Sequence, residues 1–235
     1  MKKRLQKLSY IFVCALLLLS LCACGGKSKD HYKKYVKSLI SINYINSGND
    51  YKDTGSTKQD ADALYEANMN YFADQIIAYY NVTLTDAHDL LYPEYVRLAK
   101  SIYTKVNYSV SDAYEKDGTY YVDVTILPID FFNQTYDDVL NYINSFNEEV
   151  QRGKYNSYTL EQYETTFSAG LLTILDRACV NLTYADPVTI TVEIIENGET
   201  FYISDSDFAA IDNAMIASST NDAPAEPSDE TEGNE

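Results

Sequence analysis

The amino-acid sequence predicts an α+β protein, with helices packed on one face of a four-stranded antiparallel sheet made of two β-hairpins. Three observations carry this expectation. Several segments place apolar residues at helical spacing, two others alternate apolar and polar residues, and each alternating stretch is broken by a turn dipeptide, Asp117-Gly118 or Asn197-Gly198. An isolated hairpin is marginal in water, so joining both in one sheet and covering it with helices is the economical arrangement.

The first helix is expected over 32–46, where Tyr32, Val36, Leu39, Ile40 and Ile42 share a face and Asp30 is available as N-cap. Residues 48–55 read as a polar loop. Ser56 to Gln59 then spells a capping box, and Leu64, Met69, Phe72, Ile76, Ile77 and Tyr80 form the stripe of a long helix reaching Asn81. Residues 85–91 read as a short helical turn. Pro93 suits the first position of a third helix, which turns Tyr95, Val96, Leu98, Ala99, Ile102 and Tyr103 inward.

The period then changes to two. Val106, Tyr108 and Val110 alternate, Lys116-Asp117-Gly118 supplies a turn, and Tyr120, Val122, Val124 and Ile126 alternate again up to Pro128. A two-residue turn would set Val124 opposite Ser111. A three-residue loop with Gly118 left-handed sets Val124 opposite Val110 and Ile126 opposite Tyr108, which unites the apolar faces and is the expected register. A fourth helix follows over 136–151, and a fifth over 160–182 behind a Thr159 to Gln162 capping box, weakened by about 1 kcal/mol at Gly170. Val188, Ile190, Val192 and Ile194 then alternate into Asn197-Gly198, a type I′ signal that pairs Ile194 with Phe201 and Val192 with Ile203. A short last helix over 207–216, behind Ser204 or Asp205, closes the domain.

The chain has 235 residues, 18 Lys+Arg against 35 Asp+Glu and a net charge of −17. A polyanion without a concentrated basic face repels phosphate backbones, so no nucleic-acid partner is expected. Lys2, Lys3, Arg4 and Lys7 precede an apolar run over 8–21 that ends in small residues, the pattern of a signal peptide. The run is shorter than the roughly 20 residues of a membrane-spanning helix.

Leu21-Cys22-Ala23-Cys24 resembles the bacterial lipobox. The resemblance implies cleavage before Cys24, a diacylglyceryl thioether on Cys24, and a mature protein tethered to the extracytoplasmic face of the cell membrane. Two acyl chains, at about 0.8 kcal/mol per buried methylene, anchor stably. The expected organisation is then a signal peptide over 1–23, a lipidated spacer over 24–29, an extracytoplasmic α+β domain over 30–216 and a disordered acidic tail over 217–235. Loss of the four basic residues of 1–23 takes the charge from −17 to −21. Cys14 and Cys22 leave with the signal and Cys24 carries lipid. Cys179 is left without a disulfide partner and reads as a small buried hydrophobe.

Tyr35-Val36-Lys37 with Leu39, Ile40 and Tyr44, the loop 48–51, Ile102-Tyr103 with Tyr108 and Val110, and the strand Tyr121-Val122-Asp123-Val124 ending near Pro128 are together similar to a family of uncharacterised lipoproteins of Gram-positive, clostridia-type bacteria. The resemblance covers most of 30–216. It brings no established activity, and no functional residue besides Cys24.

No Gly-rich phosphate loop, G-x-S-x-G, H-E-x-x-H or EF-hand pattern stands in the mature chain, and no cofactor or metal is expected. His88 with Asp86 and Asp89 has the composition of a base or metal site but reads first as capping and solvated charge. The adjacent acids Glu148-Glu149 and Asp137-Asp138 would do glycosidase-type work only if two carboxylates faced across a cleft. Asp205-Ser206-Asp207 has calcium-binding composition and reads first as helix N-terminal charge. Tyrosine is in excess, 23 residues with no Trp, including the pairs Tyr79-Tyr80 and Tyr120-Tyr121. Its first reading is packing at wet edges, and its second is a contact surface for peptides or glycans. The function expected is a non-enzymatic binding or interaction module at the cell envelope, with an unknown envelope protein, peptide or glycan as partner. The alternative is an envelope hydrolase with a carboxylate-based site.

Overall fold

A computed structural model describes residues 28–221 and 223–224, so the expected signal peptide and Cys24 lie outside the described residues. The fold is α+β, in the order α1 (Lys29–Tyr44), a 3₁₀ turn (Asp50–Thr54), α2 (Lys58–Tyr79), α3 (His88–Tyr103), β1 (Asn107–Val110), β2 (Tyr114–Lys116), β3 (Thr119–Leu127), α4 (Phe131–Gln151), α5 (Leu160–Val180), β4 (Val188–Asn197), β5 (Thr200–Tyr202) and α6 (Asp205–Met215). The chain divides into two compact units. Among the described residues, one holds 28–68, 106–129 and 184–217, and the other holds 69–105, 130–183, 218–221 and 223–224.

The first unit is built on an antiparallel sheet in the order β1-β3-β4-β5, with β2 pairing β3 as well. Even-numbered residues of β3 and β4 face its core. Val122, Val124, Val192 and Ile194 are buried there, joined by Phe201 of β5 and by Tyr32, Tyr35, Val36 and Leu39 of α1. Tyr32 and Tyr35 meet the Phe201 ring edge-on at 4.8 and 5.2 Å, which seats α1 on this face. Phe208, Ile211 and Met215 bury the apolar side of α6 in the same unit, with Phe208 stacked on Tyr44.

The first hairpin combines the expected register with the shorter turn. Tyr108 pairs with Ile126 and Val110 with Val124, the expected register. The turn, however, is the two-residue one, with Lys116 opposite Thr119 and positive φ at Asp117 (52°) and Gly118 (80°), as in type I′. The two are reconciled by a break at 111–113, which adds one residue and splits the expected strand into β1 and β2. Ser111 holds the break together, because its N–H donates to the Asp123 carbonyl and its Oγ accepts from the Asp123 N–H, both at 2.9 Å.

The second hairpin corrects the expected register. Asn197 pairs with Thr200 and Glu196 with Phe201, so the turn residues are Gly198 and Glu199, with positive φ at Gly198 (59°). The displacement from the expected Ile194 to Phe201 pairing is two residues. A slip of two leaves every side chain on its own face, so alternation in the sequence does not detect it.

Helix starts are corrected in several places. Ser28, not Asp30, caps α1 by accepting from the His31 N–H, and Thr57, not Ser56, caps α2 by accepting from the Asp60 N–H. Helix α3 begins at His88, so Pro93 lies inside it. Pro93 is the sixth residue of α3, past the first turn, so the helix forgoes the bond to the Asp89 carbonyl there. Helix α4 begins five residues before the expected Tyr136, at Phe131. The Thr159–Gln162 capping box of α5 and the Ser204 cap of α6 are as expected.

The second unit is helical, formed by the later part of α2 with α3, α4 and α5. Its interior is aromatic. Phe72 meets Tyr103 and Phe132 edge-on, and Tyr142, Phe146, Tyr155, Tyr163 and Phe167 form a continuous cluster. Arg97 forks onto Asp176 across α3 and α5 at 3.1 and 2.6 Å. The chain beyond Ile216 also belongs to the folded body for several residues. Tyr79 and Ser219 share a hydrogen bond at 2.7 Å, Asn133 holds Ser218 and Thr220, and Asn81 donates to the Pro224 carbonyl, later than the expected tail boundary at Ala217. The acidic remainder lies outside the described residues.

Candidate functional site

Strand periodicity that buries even-numbered residues of β3 and β4 turns the odd-numbered ones to the opposite face. There Tyr121 lies opposite Glu193, Asp123 opposite Thr191, and Thr125 opposite Thr189. All six are exposed or half-exposed. They are joined in an ordered array. Thr191 Oγ1 donates to Asp123 Oδ1 at 2.7 Å, Tyr114 Oη donates to the same oxygen at 3.1 Å, and the Thr125 and Thr189 hydroxyls bond at 2.9 Å.

Tyr114 owes its position to the break at 111–113. The bulge brings β2 into register with β3 so that Tyr114 pairs with Tyr121, and their rings stack with centroids 6.0 Å apart. The Tyr114 phenol is pushed above its ordinary value, first by desolvation and then by its bond to Asp123, so it keeps its proton and donates at neutral pH. Lys116 lies opposite Thr119 on this same face. Two stacked phenol rings beside fixed hydroxyls and carboxylates can stack against a sugar or peptide plane and bond its polar edge.

The residues singled out from the sequence do other work. His88 is exposed, stacks on Tyr92 at 5.0 Å and lies 3.3 Å from Asp89. Glu148 pairs with Arg152 and Glu149 with Lys154, each at 2.8 Å, and Asp138 pairs with Arg177 at 2.9 Å, all at the surface. Asp207 accepts the N–H of Glu193, and Ser204 accepts that of Asp207, so 205–207 is occupied in closing β4 and capping α6. Among the described residues no group of three or more His, Cys, Asp or Glu is arranged to hold a metal ion. Cys179 is buried, and burial pushes its thiol up to about 11, far from a thiolate at neutral pH.

Tyrosine serves mainly in packing. Tyr32, Tyr44, Tyr80, Tyr95 and Tyr142 bury their rings wholly or in part and place their hydroxyls on Glu196, Asp212, Thr135, Ser168 and the Phe167 carbonyl. Of the two pairs marked in the sequence, Tyr79-Tyr80 packs on Phe132, and Tyr120-Tyr121 straddles the sheet, with Tyr120 against Tyr32 and Tyr121 on the outer face.

Among the described residues, two carboxylates have raised affinity for a proton, Asp74 and Asp212, in both cases mainly through burial. Each bonds a tyrosine hydroxyl, Asp74 that of Tyr92 and Asp212 that of Tyr44 at 2.5 Å. The hydrolase reading requires two acids facing each other, whereas each of these carboxylates faces a tyrosine hydroxyl. Asp212 carries a stability consequence. Its folded pKa lies above its unfolded one, so the native state binds the proton more tightly, and stability falls as pH rises from about 3.8 through the raised value. Urea midpoints of the wild type should therefore drop across that window relative to those of Asp212→Asn. A constant difference between the two curves would contradict the assignment.

No family model and no curated protein matches the chain. A solved structure does, that of a candidate lipoprotein, ycdA, from Bacillus subtilis subsp. subtilis str. 168, with a TM-score of 0.51 at 17% sequence identity. The match covers 80% of this chain and 58% of that one, so the chain spans just over half the length of its structural neighbour. At that identity the likeness is one of fold. The protein has an α+β architecture that it shares with a candidate lipoprotein of a Gram-positive bacterium.

Proposed function

We propose that this protein is a lipoprotein, anchored through Cys24 to the extracytoplasmic face of the cell membrane, whose folded part is a non-enzymatic binding module for a peptide or glycan of the envelope. The observation that carries the reading is the outer sheet face. There Tyr114, Tyr121, Asp123 and Thr191 are locked into one hydrogen-bonded and stacked array, so little ordering remains to be done on binding. The fold shared with a candidate lipoprotein supports the anchor, and none of the described helices is long and apolar enough to cross a membrane.

Residues 25–224, which include the hydrogen-bonded chain beyond Ile216, should melt at higher temperature with one class among muropeptides, oligosaccharides and peptides. A ligand at 100 times its Kd adds about 2.7 kcal/mol, a shift of several degrees. Tyr121→Ala should abolish the shift. No shift with any class would count against the binding role, and a shift untouched by Tyr121→Ala would move it off this face. Metabolic labelling with a palmitate analogue tests the anchor separately: Cys24→Ser should lose the label and leave the membrane fraction, and a retained label would contradict it.

A further inference from the structure

The free edge of β4 is a second feature of the sheet. Asp123 turns its backbone N–H and carbonyl toward Ser111, on the β1 side of β3. Thr191, directly opposite, therefore turns its own N–H and carbonyl away from β3, and strand alternation does the same for Thr189 and Glu193. Further along, this edge is covered by β5, which pairs with 195–197, and the Glu193 N–H is taken by Asp207 at 3.2 Å. Pro187 has no N–H to offer. Between these stops, the N–H groups of Thr189 and Thr191 have no hydrogen-bond partner among the described residues, and both residues are exposed.

Charge identifies the occupant. No Lys, Arg or His occurs after Arg177, whereas Glu193 stands on this strand, Asp207 bonds its N–H, and Asp186 precedes the strand by two residues. A second copy of the chain would bring the same acids and be repelled.

We propose that the edge of β4 at Thr189 and Thr191 accepts an extended, Lys- or Arg-bearing polypeptide segment as an added strand. Main-chain bonds would hold it, and the flanking carboxylates would select its charge. The inference rests on the reading of the protein as a binding module and names one partner class for it.

The test uses the full chain in neutral detergent and a fluorescent ten-residue peptide alternating Val and Lys, with a Val and Glu peptide as control. The basic peptide should bind and the acidic one should not. Thr191→Pro removes the edge N–H together with the hydroxyl that bonds Asp123, and Thr191→Val removes the hydroxyl alone, so the proline variant should bind at least tenfold more weakly than the valine variant. Because a proline variant can misfold, alternate amides of the peptide are N-methylated in the two possible phases, and one phase alone should lose binding. Equal binding by both phases, equal binding by Thr191→Pro and Thr191→Val, or dimerisation of the protein in place of peptide binding would overturn the proposal. Failure of the peptide together with a melting shift from a glycan would overturn the edge assignment and leave the binding-module reading standing.

Discussion

Glu164→Ala should lower stability by about 4 kcal/mol, seen as a fall of roughly 10 °C in melting temperature. Glu164 is buried within α5, and its carboxylate accepts the N–H of Thr85 on both oxygens, at 2.9 and 3.0 Å, and that of Ala87 at 2.9 Å. These amides stand just before α3, where no side chain caps the helix. Truncation would leave two backbone donors without partners at a cost of about 1–3 kcal/mol each, and an uncollapsed cavity besides. Glu164→Gln keeps one accepting oxygen and should cost less than half as much. A loss under 1 kcal/mol for the alanine variant would mean that the carboxylate does not hold this loop.

Gly170→Ala should also destabilise, by about 2 kcal/mol, although helix propensity alone predicts a gain of about 1 kcal/mol. A Cβ on Gly170 would lie 2.3 Å from the Tyr142 hydroxyl and 2.4 Å from the ring carbon bearing it. Tyr142 cannot withdraw freely, because that hydroxyl donates to the Phe167 carbonyl at 2.8 Å and the ring stacks on Phe167. The substitution must displace the ring and break the bond. In a Tyr142→Leu background the same change should be neutral or stabilising, and equal costs in the two backgrounds would refute the steric account.

These two residues also mark where sequence reading stops. Gly170 reads as a weak point in a helix, because a sequence does not show that a phenol from another helix needs its missing side chain. Glu164 reads as one more surface acid, since its partners are backbone amides 77 and 79 positions away that carry no side-chain signature. The strands were legible where the pattern had an apolar partner to find, as in the pairing of Val110 with Val124. They were illegible where a shift preserved the faces, as in the second hairpin. Helix interiors followed their stripes, whereas starts were decided by single hydrogen bonds, such as that of Thr57 rather than Ser56. The outer-face array was half visible. Alternation places Tyr121 and Asp123 together, but the adjacency of β3 and β4 that brings Thr191 to Asp123, 68 positions away, is a fact of topology.

The central claim is that the outer face of the sheet is the binding surface, and methyl NMR tests it most directly. Residues 25–224, labelled at Thr, Val and Ile methyls, are titrated with whichever ligand class raises the melting temperature. The odd-numbered Thr125, Thr189 and Thr191 share the outer face, and the even-numbered Val122, Val124 and Val192 lie on the buried one. The account predicts saturable shifts at the three threonines with little change at the three valines. Shifts that gather on the valines, or on methyls of α3 to α5, with the threonines unmoved, would contradict it.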